Sequence, residues 1–105
     1  MSAADRVKNR ELENILAQQL PQWNKSGKAL KRTFGFDDFR AALAFVNAVG
    51  EEAKRAGHHP DIDIRYSHVT LSLSSHDAGG ITWRDIALAG QIDALAAASE
   101  ARKAA

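Results

Sequence analysis

The 105-residue chain contains no cysteine, no run of like charges and no long apolar stretch, and each absence excludes a class of protein. Without cysteine, neither disulfides nor thiolate chemistry is available, which fits a reducing compartment. Lysine and arginine total 14 against 13 acidic residues, so a net charge of +1 leaves no basic footprint for nucleic acid or an anionic membrane. No apolar run approaches the ~20 residues that a membrane-spanning helix needs.

The N-terminal stretch also lacks the apolar centre of a secretory signal, since charged residues recur from Met1 to Glu13. An apolar fraction of 45% predicts a folded chain rather than a disordered one. We therefore expect residues 1–105 to form a single cytoplasmic domain with a modest hydrophobic core. Nucleic acid and membranes are not among the expected partners.

Two helices are predicted in the first half of the chain by apolar residues at helical spacing. The first spans Val7–Leu20 and is closed by Pro21. The second follows Asp37 or Asp38, either of which can cap it, and ends at Gly57, a residue suited to a left-handed stop. A pair of histidines follows this stop at once.

A third helix is predicted near the C-terminus. Thr82 and Asp85 have the spacing of a capping box, in which each side chain bonds the other residue's backbone. Apolar residues then recur at helical spacing from Ile86 to Leu95. We expect the alanine-rich stretch Ala94–Ala105 to extend this helix or to form its frayed end.

Alternation of apolar and polar residues predicts strands in two places. One is Lys28–Phe36, after a turn at Lys25-Ser26-Gly27. The other is a hairpin, because the apolar positions change from even numbers in Ile62–Tyr66 to odd numbers in Val69–Leu73. A single strand would put half of them on the wrong face, so we expect a two-residue turn at Ser67-His68.

Three histidines are the main candidates for chemistry: His58 and His59, which precede Pro60, and His76. If the hairpin register is continued, His59 lies opposite His76, with Cβ atoms about 4.5–5.5 Å apart. Imidazole exchanges protons near neutral pH, so such a cluster favours acid–base chemistry. His68 is expected to be a turn residue only.

Other readings of the histidines remain open. A zinc site needs three or four ligands, and His58 and His59, adjacent on an extended segment, point to opposite sides. No HExxH or Cys/His set supports a metal. A solvated loop after a helix also accounts for the pair. The serines near His76 lack a nucleophile elbow, so acyl transfer is disfavoured.

Taken together, these motifs resemble the pterin-4a-carbinolamine dehydratase family, over roughly residues 10 to 95. The matching segments are Trp23-Asn24, Phe39, Ala42, His58-His59-Pro60, Tyr66, Val69, Leu71, Ser75-His76-Asp77, Gly80-Ile81-Thr82, Asp85-Ile86 and Leu88-Ala89. The chain departs from the family pattern at Ile62, where many members are aromatic, at Lys54, often a carboxylate, and at Gly57, often an amide or acid.

The resemblance implies an α+β fold in the order α-β-β-α-β-β-α, with a small antiparallel four-stranded sheet and three helices packed on one face. It also implies a reaction without metal or cofactor: dehydration of 4a-hydroxytetrahydropterin to quinonoid dihydropterin and water by histidine acid–base catalysis. This step belongs to tetrahydrobiopterin recycling, downstream of an aromatic amino acid hydroxylase. A homodimer or homotetramer is implied as well.

The family's site residues carry over by position. His58 and His76 become the acid–base pair, and His59 binds the pterin and shares in catalysis. His76 also binds the substrate, and the remaining substrate-binding residues implied by the resemblance are Pro60, Ser75, Asp77, Ala78 and Asp85. Asp85 orients an imidazole or holds the pterin ring, in addition to capping the third helix. The alternative is a non-enzymatic dimerisation module, since animal relatives bind a homeodomain transcription factor.

Overall fold

Four antiparallel strands form one sheet, in the order β1-β2-β4-β3, in the computed structural model, which describes residues 6–99. The elements are α1 (Asn9–Gln19), β1 (Asn24–Ser26), β2 (Ala29–Gly35), α2 (Phe39–Ala56), β3 (Asp61–Arg65), β4 (His68–Leu73) and α3 (Trp83–Ala98). A short 3-10 helix, His76–Ala78, lies between β4 and α3. The predicted α+β fold, with three helices on one face of the sheet, is confirmed. Within the described range, no helix has both the length and the hydropathy to span a membrane.

One face of the sheet forms the floor of the core. Leu30 and Phe34 on β2 and Val69, Leu71 and Leu73 on β4 are all fully buried. The helices cover them with Leu12, Phe45, Val49, Leu88 and Ile92. Because each fully buried side chain of this kind contributes about 1.5–3 kcal/mol, this layer is the main source of stability.

Both ends of α2 lie where the capping residues predicted them, and the C-terminal end fixes the position of His58. Asp38 caps the start, accepting the Ala41 amide at 2.8 Å. Gly57 ends the helix with a φ of 64°, and the His58 amide bonds back to the Ala53 carbonyl at 3.2 Å. This closing pattern is a Schellman motif, which fixes the first residue after the helix.

The capping box of α3 is also present. The Thr82 hydroxyl accepts the Arg84 amide at 3.2 Å, and Asp85 accepts the Thr82 amide at 2.9 Å. The helix runs to Ala98, and its predicted continuation toward Ala105 lies outside the described residues.

The N-terminal helix begins later than predicted, at Asn9 rather than Val7. The Val7 amide instead bonds the Ile81 carbonyl at 2.9 Å, and Arg6 forms a β-bridge with Thr82. Extended pairing with the loop before α3 therefore replaces the first predicted turn of helix.

The first hairpin differs from the prediction, which placed a turn at Lys25-Ser26-Gly27. Its residues Lys25 and Ser26 belong to β1, and the turn is centred on Gly27 and Lys28, because Ser26 pairs with Ala29. Gly27 has a φ of 60°, which suits a tight turn. A strand of three residues is too short to show an alternating pattern, so only the family resemblance implied the fourth strand.

The turn of the second hairpin differs from the prediction, which was wrong by one residue. Arg65 pairs with His68, so the turn is Tyr66-Ser67, and His68 is the first residue of β4. Tyr66 adopts a φ of 53°, and the Ser67 carbonyl accepts the Phe36 amide at 2.9 Å. This hydrogen bond joins the turn to Phe36, the residue that follows β2.

The shifted register removes the predicted pairing of His59 with His76. The ladder ends where Asp61 faces Ser72. If the ladder continued in the same register, His58 rather than His59 would lie opposite Ser75. Both registers place the same side chains on the buried face, which is why alternation alone could not distinguish them.

Candidate active site

His58 and Asp85 form the centre of the candidate site. His58 follows α2 directly and is only 9% exposed, whereas Asp85 lies in the first turn of α3 and is fully buried. His58 Nε2 and Asp85 Oδ1 are 2.5 Å apart. This hydrogen bond joins two elements that are distant in the sequence.

The other carboxylate oxygen of Asp85 is held by two more donors. The Ser75 hydroxyl donates to Oδ2 at 2.8 Å and the Thr82 amide at 2.9 Å. The Ser75 and Thr82 hydroxyl oxygens are also 2.8 Å apart. Since the Ser75 proton is directed to Asp85, the Thr82 hydroxyl donates to Ser75.

The hydrogen bond between His58 and Asp85 relates the protonated ring nitrogen of His58 to the state of the carboxyl group. Because an ionised carboxylate can only accept hydrogen bonds, His58 Nε2 is the donor when Asp85 is ionised. Nδ1 is then the nitrogen that remains to take up or release a proton. A buried carboxylate behind an imidazole fixes both the tautomer and the ring orientation.

His76 lies beside this network on the 3-10 helix. The turn is held by the Ala78 amide on the Ser75 carbonyl and the Gly79 amide on the His76 carbonyl, both at 3.1 Å. Ser75 is buried, whereas His76 is exposed. The chain therefore passes from the buried network to a solvent-accessible imidazole within one residue.

An ion pair joins the 3-10 helix to α3. Arg84 Nη2 donates to both carboxylate oxygens of Asp77, at 2.8 and 3.1 Å. The hydrogen bond from Arg84 holds the pKa of the Asp77 carboxyl below its usual value. The pair fixes the segment that carries His76 against the helix that carries Asp85.

The other predicted site residues differ in exposure. His59 is exposed and forms no hydrogen bond with any residue from 6 to 99. Pro60 is half-buried, and Ala78 is almost fully buried. His68 lies at the hairpin end of β4, where its Nδ1 is 3.3 Å from the Ser67 hydroxyl.

A metal centre finds no support in the described part of the chain. No three side chains of histidine, aspartate or glutamate between residues 6 and 99 are grouped so that they could hold an ion. The buried arrangement around Asp85 instead satisfies its oxygens with protein donors.

Two contributors were not assigned to the site from the sequence. The capping-box spacing revealed Thr82 as a helix cap, but not as a hydrogen-bond donor to Ser75. Arg84 carried no signal, because its partner Asp77 lies on a separate element and no periodic pattern links the two.

Most of the chain is similar to proteins of one known family. The family model described as pterin 4 alpha carbinolamine dehydratase matches residues 5–95. A Nocardia farcinica protein, whose name marks it as a provisional pterin-4-alpha-carbinolamine dehydratase, is 58% identical over 79 residues, covering 75% of this chain and 83% of that protein. A Thermomicrobium roseum protein of the same name is 57% identical over 81 residues, covering 77% and 87%.

Solved structures show the same fold. A protein from Brucella melitensis, described as a transcriptional coactivator/pterin dehydratase, is 31% identical with a TM-score of 0.82, covering 87% of this chain and 98% of that one. A pterin dehydratase-like protein, identified as a RuBisCO assembly factor in the alpha-carboxysome, is 28% identical with a TM-score of 0.62, covering 71% and 89%.

Proposed function

The chain belongs to the pterin 4 alpha carbinolamine dehydratase family, and from this we propose that it dehydrates 4a-hydroxytetrahydropterin to quinonoid dihydropterin and water. Membership in this family assigns it to the hydro-lyases. The observation that carries the detailed mechanism is the buried hydrogen bond between His58 and Asp85.

The reaction is a transfer of protons. The bond between C4a and the hydroxyl breaks, the departing hydroxyl takes a proton, and a ring N–H gives one up, so no proton is consumed overall. A paired acid and base suit this step. His58 and His76 supply the pair, and Asp85 orients His58 and stabilises the imidazolium whenever His58 holds the extra proton.

The remaining side chains bind and position the substrate. His59 and Pro60 border the pterin on the side of β3, with His59 sharing in proton transfer. Ser75, Asp77 and Ala78 form the opposite wall. Arg84 acts through Asp77, because their ion pair holds the turn that carries His76.

The same membership supports a proposal for the physiological setting. We assign the chain to recycling of a tetrahydrobiopterin-type cofactor after an aromatic amino acid hydroxylase, in the cytoplasm, as a homodimer or homotetramer. Residues 1–105 act as one dehydratase domain. The dehydration itself calls for no metal and no redox cofactor.

The test uses enzymatically generated 4a-hydroxypterin and follows the loss of its absorbance. His58→Ala and His76→Ala should each lower the rate by about 10²–10⁴-fold, the usual contribution of a general acid or base. His68→Ala is the matched control, because it removes an exposed imidazole at the far end of the hairpin. The proposal would be contradicted if the wild type dehydrated the substrate no faster than buffer. It would also be contradicted if all three variants lowered the rate by the same factor.

A second candidate function is a partner-binding module without catalysis. It is favoured by Phe39 and Leu43, which lie one turn apart on α2 and are 45% and 42% exposed. Such a module should bind its partner equally well after His58→Ala and lose binding after Leu43→Glu. Turnover by the wild type that disappears with His58→Ala would decide for the enzyme.

A further inference from the structure

A cavity of about 480 Å³ lies at the N-terminal end of α1, and neither His58 nor Asp85 lines it. Its walls are the segment before α1, the turn between β1 and β2, and the Gly79-Gly80 segment after the 3-10 helix. This volume falls within the range of about 300–1,000 Å³ that is typical of small-molecule sites. We call it the cationic cavity because of the side chains at its rim.

Four basic residues line the cationic cavity: Arg6, Lys8, Lys25 and Lys28. None of the described residues that line it is acidic. Lys25 donates to the Gly27 carbonyl at 2.9 Å, a contact that orients the ammonium group without neutralising its charge. A chain with a net charge of +1 thus concentrates four positive side chains around one opening.

Two of these lysines are available for a ligand. Lys8 and Lys28 are exposed, and neither forms an ion pair or side-chain hydrogen bond with any residue between 6 and 99. They approach the opening from different elements, one just before α1 and the other in the β1–β2 turn. An anion between them would be attracted from both sides.

The floor of the cationic cavity has the opposite character. Val7, Leu12 and Ile81 line it, and all three are buried members of the hydrophobic core. An inorganic ion would meet only the rim. A molecule with both an anionic group and an apolar body would use the rim and the floor together.

We propose that the cationic cavity binds a small amphiphilic anion, whose phosphate or carboxylate group contacts Lys8 and Lys28 and whose apolar part lies on Leu12 and Ile81. This would be a second ligand site, distinct from the proposed pterin site and independent of turnover. It is also adjacent to that site, since the Gly79 amide in its wall donates to the His76 carbonyl at 3.1 Å.

The test is a titration of the full-length protein with phenyl phosphate, followed through backbone amide shifts in ¹H–¹⁵N NMR spectra. Inorganic phosphate and benzyl alcohol are the matched probes, each with half of the required chemistry. Phenyl phosphate should bind more tightly than either and should shift the amides of Lys8, Lys28 and Gly80. Binding should weaken as salt is added.

Charge removal sharpens the test. Lys8→Gln and Lys28→Gln should each weaken phenyl phosphate binding by about 3–10-fold, the scale of one charge pair near a protein surface. Lys31→Gln is the control, because Lys31 is an exposed lysine of β2 outside the cavity and should leave binding unchanged. The dispersed NMR spectrum of each variant verifies that it is folded.

The proposal is overturned by shifts spread over the whole surface, by equal losses in Lys28→Gln and Lys31→Gln, or by no shift at millimolar phenyl phosphate. Equal affinity for inorganic and phenyl phosphate would overturn it too, because the floor would then contribute nothing. None of these outcomes depends on dehydration, so failure here is distinguishable from failure of the proposed function.

Discussion

Two aspartates on α3 show how one helix can support two kinds of polar site. Asp85 is fully buried and accepts a hydrogen bond from His58. Asp93, farther along the same helix, has a side chain that is 26% exposed and is held by Arg32 at 2.7 Å and by the Trp23 indole at 2.8 Å. Both are satisfied carboxylates, but their partners differ in chemistry.

The partners decide what each carboxylate can do. A guanidinium is charged at every accessible pH and an indole only donates, so neither partner of Asp93 can take up a proton from a ligand. An imidazole can, so the Asp85 cluster is suited to catalysis. We therefore propose that Asp93 stabilises the fold and that Asp85 takes part in the proposed reaction.

The comparison also explains Arg32, whose charge interrupts the alternation of β2. Arg32 shares the inward parity of Leu30 and Phe34, and it is half-buried rather than solvated. Its guanidinium lies 4.2 Å from the centre of the Phe34 ring and pairs with Asp93. A cation on this face is tolerated because it has both an aromatic surface and a counter-ion.

The largest effect is expected from neutralising Asp85, and neutralising Asp93 is the matched control. Asp85→Asn should reduce dehydration by about 10²–10⁴-fold, because the amide no longer specifies the protonated nitrogen of His58. Asp93→Asn should leave the rate nearly unchanged. The measurement is the decay of 4a-hydroxypterin, with circular dichroism to verify folding. Similar rate losses in both variants would abolish the distinction.

Removal of the Ser75 hydroxyl should give the next largest effect. Ser75→Ala removes one of the two donors to Asp85 Oδ2 and the acceptor of the Thr82 hydroxyl proton, so the free energy of unfolding should fall by about 1–3 kcal/mol. We expect kcat to fall as well, because the serine positions Asp85 behind His58. Urea unfolding and steady-state kinetics measure the two effects. An unchanged kcat would confine Ser75 to a structural role.

A smaller effect is expected at the Asp93 cluster. Arg32→Met keeps the apolar stem over Phe34 but removes the charge, so the free energy of unfolding should fall by only roughly 0.5–1.5 kcal/mol, since the pair is partly exposed. Turnover should match the wild type. Urea unfolding at low and high salt checks this, and the difference between the proteins should shrink as salt rises. A clear loss of turnover would contradict the assignment of this cluster to stability.

The smallest effect is a pH dependence at the Asp77–Arg84 ion pair. Because Arg84 lowers the pKa of Asp77 in the folded chain, the pair stabilises the fold above the unfolded pKa of about 3.9 and loses this contribution as pH falls through the lower folded value. Arg84→Gln should therefore be less stable than the wild type at pH 7, with the gap closing below about pH 4. Urea midpoints across this range provide the measurement, and a gap independent of pH would exclude the ion pair as its cause.

Local signals predicted the helices well because their information is contained within a few residues. Asp38 and Gly57 mark the ends of α2, and the Thr82–Asp85 spacing marks the start of α3. These residues satisfy backbone groups within one turn of their own position, so no knowledge of the tertiary structure is needed. The position of His58 after Gly57 could be predicted for the same reason.

The arrangement of the site could not be predicted, because it depends on pairing between elements. Alternation determines the face on which a residue lies but not the residue that faces it, so a shift of the turn to Tyr66-Ser67 went undetected. His59 was accordingly expected opposite His76, whereas His58 meets Asp85 and Ser75 belongs to the same network. Contacts of this kind join residues separated by 10 and 27 positions, and no local pattern records them.

We expect His58 to carry its proton on Nε2, toward Asp85, and to offer Nδ1 to the pterin. Long-range ¹H–¹⁵N NMR of the imidazole rings, with and without a dihydropterin, tests it directly. We predict a protonated Nε2 on His58, and a shift of its Nδ1 resonance on ligand binding that His68 does not show. A protonated Nδ1 facing the ligand side, or a His58 ring that ignores a bound pterin, would contradict the account.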